Sequence, residues 1–193
     1  MRQLDRVLSW IQSEVGKLLQ AEYYVGVDLG KKQDYSVIVV LRKDGEVFKV
    51  VFLKQFKLGT DYSAVIGYIK VICDKLRRVA QVNVDQTSAE YFVEDLKKVV
   101  SVPVEGIMLT VPSKQEVLGH MKKMMQDKRL LIPYDEELIQ EINAERFELT
   151  KSGQIQFSHP DGTHDDMLWA LALACYATRE AVPPGTGVVI LNS

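Results

Sequence analysis

Cysteine is scarce in this chain of 193 residues: Cys73 and Cys175 are the only two. Both fall in apolar, helix-patterned stretches and read as reduced core residues, which excludes a disulfide scaffold. Neither sign of charge dominates. Lys and Arg number 24 against 26 Asp and Glu, a formal net charge of -2. A protein that holds nucleic acid by bulk charge would be basic, so any such contact here must be local or assisted by another domain. Long hydrophobic runs are missing too. Met167 to Ala174 is too short to cross a bilayer, and polar residues interrupt Leu4 to Leu19, unlike a signal peptide. A non-secreted protein that does not engage a membrane is expected. No G-x-x-x-x-G-K-[ST] stretch occurs, which excludes a P-loop nucleotide site in this chain. Internal repeats and low-complexity tracts are also absent. What remains is an ordinary globular balance, 47% hydrophobic and 26% charged, in a chain long enough to bury a real core.

Apolar periodicity divides the chain into elements. Leu4, Val7, Leu8, Ile11, Val15, Leu18 and Leu19 recur at helical spacing, so residues 3–21 read as an amphipathic helix. Strands are expected at Tyr23–Leu29, Ser36–Arg42 and Glu46–Lys57, with Asp44-Gly45 as a hairpin signal. Thereafter helices and strands alternate: helix 61–78, strand 81–85, helix 89–99, strand 102–109, helices 112–127 and 135–143. A second hairpin is expected around Ser152-Gly153, and a last helix from His164 to Glu180. Three antiparallel strands followed by alternating elements predict a mixed α/β sheet flanked by helices on both faces. Residues 1–21 are expected to form a connector, 22–182 the domain and 183–193 a tail whose apolar Gly187 to Leu191 could add an edge strand.

Aspartates fall where these elements end. Asp28 closes the first strand. Asp34 lies in the turn before the antiparallel second strand, which folds it back toward Asp28. Asp85 closes Val82-Asn83-Val84-Asp85. A crossover through helix 61–78 would set that strand parallel to the first and bring Asp85 to the same sheet edge. His164-Asp165-Asp166 opens the last helix, where Asp166, Ala170, Ala174 and Ala177 share a face. Alanines allow close packing on a sheet, so Asp166 is expected to turn inward. Asp165 shares its face with Trp169 and Tyr176 and is expected to sit more peripherally. Each acid alone reads as a turn or helix-start residue. Together they read as a carboxylate cluster, which repels itself unless a cation intervenes. Hard oxygen ligands suit Mg²⁺ or Mn²⁺. Two such ions about 3.5–4 Å apart can activate water and stabilise a leaving oxygen at a phosphodiester.

His164, beside the acids, is a candidate for hydrogen bonding behind the metal ligands. Lys114, Lys122, Lys123, Lys128 and Arg129 outweigh Glu116 and Asp127 and form a candidate phosphate-contact strip, the alternative being a solvated helix face. Lys31 and Lys32 follow Asp28 closely and could steer a phosphate. His120 and His159 carry no such context, and Trp10 and Trp169 read as core.

At these residues the chain resembles the nuclease domain of the large terminase subunit of tailed bacteriophages and their proviruses, within the RNase H-like group. The resemblance covers residues 22–180. Val25-Gly26-Val27-Asp28 with Asp34 is similar to the first acidic motif, Val82-Asn83-Val84-Asp85 to the second, and Gly162-Thr163-His164-Asp165-Asp166 with its alanine-rich helix to the third. The passage from Lys114 through Leu131-Ile132-Pro133 to Leu138-Ile139 is similar to the family's basic helix, proline and acidic helix. Where the family often carries a glycine after its second acid, Gln86-Thr87-Ser88 stands here, a departure that leaves the course of the loop open. The resemblance implies an RNase H-like fold and endonucleolytic cleavage of double-stranded DNA with two Mg²⁺ or Mn²⁺ ions. In that reading Asp28 bridges both ions, Asp85 and Asp166 each hold one, and Asp34 and Asp165 support them. It further implies a task in cutting concatemeric viral genomes in the host-cell cytoplasm, with an ATPase motor domain, a small terminase subunit and a portal as partners. The chain would then be an excised domain or a stand-alone relative. A junction resolvase, preferring branched DNA, and a non-catalytic docking module of the same fold are the rival readings.

Overall fold

Alternation of side chains along three strands builds the sheet and decides which face receives the acids. The computed structural model describes residues 16, 21–30, 34–87, 89–149, 155–158 and 164–180. Lys31, Lys32, His159, the tail 183–193 and nearly all of the expected helix 3–21 lie outside these residues. Strands β1 (Tyr23–Asp28), β2 (Val37–Asp44) and β3 (Val47–Gln55) form the expected antiparallel meander. The β2–β3 turn is Gly45-Glu46 rather than Asp44-Gly45, because Asp44 still pairs with Val47. Of the two turn residues it is Gly45 that takes a positive φ, 62°, as a II′ turn requires of its first central residue. Asp44 instead accepts hydrogen bonds from Arg42 and an ion pair from Lys49.

Helix α1 (Tyr62–Lys75) carries the chain back to β4 (Val79–Asp85), which lies parallel to β1. Helix α2 (Glu90–Val99) leads to β5 (Val104–Ile107), parallel to β4. The order across the six-stranded sheet is β5-β4-β1-β2-β3-β6. The last member, β6 (Leu130–Leu131), is two residues long and pairs parallel with Phe48 and Lys49. It was not expected, since two residues carry no periodicity. Helix α3 (Val111–Gln126) precedes it, and α4 (Glu136–Ala144) and the hairpin β7 (Arg146–Leu149) and β8 (Ile155–Ser158) follow. The final helix α5 spans Asp166–Tyr176, shorter at both ends than the expected His164–Glu180, since Asp165 is its N-cap residue and residues 177–180 continue as turns. No helix among the described residues is long and apolar enough to cross a membrane.

Two apolar cores lie on opposite faces of the sheet. Val25 and Val27, with Val82 and Val84 of β4 and Ile38 and Val40 of β2, face α1 and α2. Tyr24, Val37, Val39 and Leu41 face the other way, toward α5, α3 and α4. The period of two therefore turns Gly26 and Asp28 to the α5 side of β1, and Asn83 and Asp85 to the same side of β4. Helix α5 is buried from Asp166 to Cys175, the mark of a central helix covered on all sides. It lies on β1, β2 and β4 and is covered by α3 and α4. The contact is close enough that a methyl group at Gly26 would overlap the carbonyl oxygen of Ala170 and the backbone nitrogen of Ala174. The alanine face expected from sequence is thus the face that meets β1.

Both partners in that contact are backbone, so neither can swing aside. Gly26→Ala is expected to lower the unfolding free energy by about 1–3 kcal/mol or more through overpacking. Gly119→Ala, in mid-α3 with open space around its Cα, is expected to raise it by about 0.5–1 kcal/mol through helix propensity. Urea unfolding midpoints of the two variants check the opposite signs.

Candidate metal centre

The C-terminal ends of β1 and β4 and the N-terminus of α5 meet at one edge of the sheet. Asp28, Asp34, Asp85, Asp165 and Asp166 line a single cavity of about 400 Å³ there, together with Thr87, Leu109, Lys114 and Trp169. The placement follows from three local causes. Parallel pairing of Val27 with Val84 sets Asp28 beside Asp85. The tight approach of Gly30 to the backbone of Asp34 and Tyr35 folds the loop back, and the Gly30 N–H donates to Ser36 Oγ at 3.2 Å. The alanine contact fixes the axis of α5 and with it Asp166.

Burial separates the acids. Asp28 is 8% exposed and Asp166 6%, whereas Asp85 and Asp165 are half-buried and Asp34 is exposed. Loss of hydration raises the Asp28 carboxyl well above the usual carboxylate range, and the charges of Asp85, Asp166 and Asp165 push it further. Burial likewise pushes Asp166 up to about 6, with Asp165 and Asp34 adding to it. The Tyr35 N–H, donating to Asp166 Oδ2 at 3.3 Å, works against that rise. His164 Nδ1 lies 3.6 Å from the same oxygen, and its ring stands edge-on to Tyr35. Asp165 is held differently: its Oδ2 accepts the Trp169 indole N–H at 2.7 Å. The sharing of a face between Asp165 and Trp169 is therefore a hydrogen bond one helical turn long, and it keeps Asp165 at the cavity wall.

The donor set is carboxylate oxygen, with one imidazole behind it, and this chemistry fits a hard divalent cation. Among the described residues no three acids, imidazoles or thiols already converge on one point that would hold an ion. Like charges sharing a cavity repel, and the arrangement is one that a cation would draw together.

The basic strip is not one patch. Lys114 alone reaches the cavity, its Nζ 4.6 Å over the Trp169 ring. Lys122, Lys123 and Lys128 lie exposed further along and beyond α3, and Lys123 pairs with Asp127 at 3.2 Å. Arg129 is committed to the fold: its Nε donates to Glu46 O at 3.0 Å and its guanidinium stands over Phe48. The β2–β3 turn, where that contact is made, lies at the opposite end of the sheet from Asp28. His120 is likewise remote, packed against Tyr176 and Thr178 at the far end of α5.

Glu141 escaped the sequence reading. It is buried in α4, and its Oε2 accepts the Leu168 N–H of α5 at 2.8 Å. The helix has Asp165 as its N-cap residue, and that side chain makes no cap bond; Glu141 of another helix supplies the missing acceptor. The available signal was an acid on the apolar stripe of α4, between Leu138 and Ile142.

Residues 25–177 match the family model described as the terminase RNaseH-like domain. The large terminase subunits of Thermus virus P23-45 and Thermus phage G20c are each 26% identical to the chain over 157 residues, which is 79% of this chain and 31% of theirs. The chain thus spans about a third of the length of these curated relatives. The crystal structure of the large terminase nuclease from phage G20c shares the fold with a TM-score of 0.71 at 24% identity, over 80% of this chain and 81% of that one. The HK97 bacteriophage large terminase does so with a TM-score of 0.65 at 15% identity, over 81% of this chain and 39% of that one.

Burial pushes Glu141 up from its ordinary 4.5 to about 7, the nearby Asp166 and Asp165 adding to it against the Leu168 N–H. In that interval the folded state binds more protons than the unfolded, so stability falls as pH rises. Asp28 and Asp166 act with the same sign. Glu141→Gln keeps an acceptor for Leu168 and removes one titration. Between about pH 5 and about pH 8 its urea midpoint is expected to fall less than that of the wild type; parallel curves would contradict the assignment.

Proposed function

This chain belongs to the terminase RNase H-like domain family, and from that premise we propose that it is a divalent-metal-dependent endonuclease acting on double-stranded DNA. The observation that carries the reading is the buried Asp28 sharing one cavity with Asp85 and Asp166 at the meeting point of β1, β4 and α5. The large terminase nuclease of phage G20c, which shares this fold, has been solved with magnesium, with cobalt and with zinc bound, which supports a divalent centre here. Two Mg²⁺ or Mn²⁺ ions would supply the activation of water and the charge that stabilises the leaving oxygen.

The residues of the chain take separable parts. Asp28, at the centre of the cluster, would be shared between the ions, with Asp85 and Asp166 each holding one. Asp34 and Asp165 would complete the shell, Asp165 oriented by Trp169. His164 would hold Asp166 through the oxygen it already faces. Lys114 brings an ammonium group to the cavity wall, where a backbone phosphate of the substrate would lie. Lys122, Lys123 and Lys128 would contact the duplex away from the cut, as exposed charges that read phosphate and not sequence. With a net charge of -2, the domain would rely on its partners to hold DNA. By its family it would cut concatemeric viral genomes in the host-cell cytoplasm, working with a motor domain, a small terminase subunit and a portal.

Nicking of supercoiled plasmid tests the reading. The wild type is expected to nick and linearise plasmid with Mg²⁺ or Mn²⁺ and to stop in EDTA. Asp28→Asn is expected to remain folded and to lose about 100-fold or more in rate, since several kcal/mol of charge stabilisation would go with it. Cleavage that survives EDTA, or a fully active Asp28→Asn protein, contradicts the proposal.

A further inference from the structure

The turn that follows β4 at Gln86-Thr87 is built around the carboxylate of Asp85. The Thr87 hydroxyl donates to Asp85 Oδ1 at 2.6 Å, and the Thr87 backbone N–H donates to the same oxygen at 2.8 Å. The hydroxyl oxygen in turn accepts the Leu109 N–H at 2.9 Å. Next to it, the Gln86 N–H donates to Ile107 O at 2.9 Å, and the side chain of Gln86 fills the space that Gly106 leaves open. The turn is thus stitched to the end of β5 at two points. Leu109 lies just before Thr110, whose side chain caps α3, the helix that carries Lys114.

Asp85 Oδ1 is therefore committed twice, and the carboxylate is held in one orientation while Oδ2 makes no hydrogen bond among the described residues. A free aspartate at the end of a strand would sample several rotamers and lose their entropy on binding an ion. We infer that Thr87 is a positioning residue: its hydroxyl fixes the Asp85 carboxylate for metal binding and ties it to the loop that launches α3. The inference rests on the divalent-metal reading above. A glycine at position 87 would supply the backbone N–H but neither the hydroxyl donor nor the acceptor for Leu109.

Isothermal titration of the intact chain with Mn²⁺, wild type beside Thr87→Val and Thr87→Ser, tests it. Valine keeps the shape and removes the hydroxyl; serine restores the hydroxyl without the methyl group. Loss of an outer partner of a metal ligand weakens affinity by about 10–100-fold, so Thr87→Val is expected to raise the Mn²⁺ Kd by about that factor. Thr87→Ser is expected to return it to within about threefold of the wild type, well short of that loss. Without metal the Thr87→Val melting temperature is expected to fall only slightly, because the hydrogen bonds it loses are exposed. A Thr87→Val protein that binds Mn²⁺ like the wild type, or a Thr87→Ser protein as weak as Thr87→Val, overturns the inference and leaves the metal centre standing. A wild type that takes up no Mn²⁺ overturns both together.

Discussion

The close contact of α5 with β1 is the constraint from which the site follows. Gly26 presents bare backbone to Ala170 and Ala174, and this lets a helix lie against the sheet at a distance that any larger residue would forbid. Without that approach the N-terminus of α5 would ride higher over the sheet. Asp166 would then face solvent instead of the cavity it shares with Asp28 and Asp85. A packing requirement between small residues thus becomes a statement about where charge is placed.

That placement costs stability and is kept. Asp28 and Asp166 are buried among like charges, and Glu141 adds a third buried acid behind them. Burying a carboxylate near other carboxylates is unfavourable unless protons or cations share the site. The surrounding bonds do not neutralise the cluster; they orient it. Tyr35 faces Asp166, Trp169 faces Asp165 and Thr87 faces Asp85, each through a hydrogen bond donated to one carboxylate. Each donor orients a carboxylate without cancelling its charge, and in the proposed reading a divalent ion would do so.

Much of this was legible in the residues. The meander, the parallel return of β4 and the inward turn of Asp166 follow from period-two and period-3.6 patterns, which are local. What was not legible is contact between distant segments. Glu141 caps a helix more than twenty residues away, and nothing in its own neighbourhood announces that beyond an acid on an apolar stripe. Leu109, past the end of β5, reaches Thr87 past the end of the neighbouring β4, 22 residues away. Arg129 looks like part of a basic strip until Glu46 and Phe48 are seen to occupy it. The two-residue β6 is an edge that its partner β3 defines. The boundaries of α5 shifted for a similar reason, since its N-terminus is set by Asp165 and the remote Glu141.

In the proposed reading β1, β4 and α5 would deliver Asp28, Asp85 and Asp166 to a common divalent centre. Crystals soaked in Mn²⁺ and measured at the manganese absorption edge test it most directly. Anomalous peaks are expected inside the cavity, about 3.5–4 Å apart, with Asp28 the residue that would hold both ions. Asp85 would lie on one ion and Asp166 on the other. A map with no peak there at saturating Mn²⁺, or with ions bound elsewhere and Asp28 touching none of them, would contradict it.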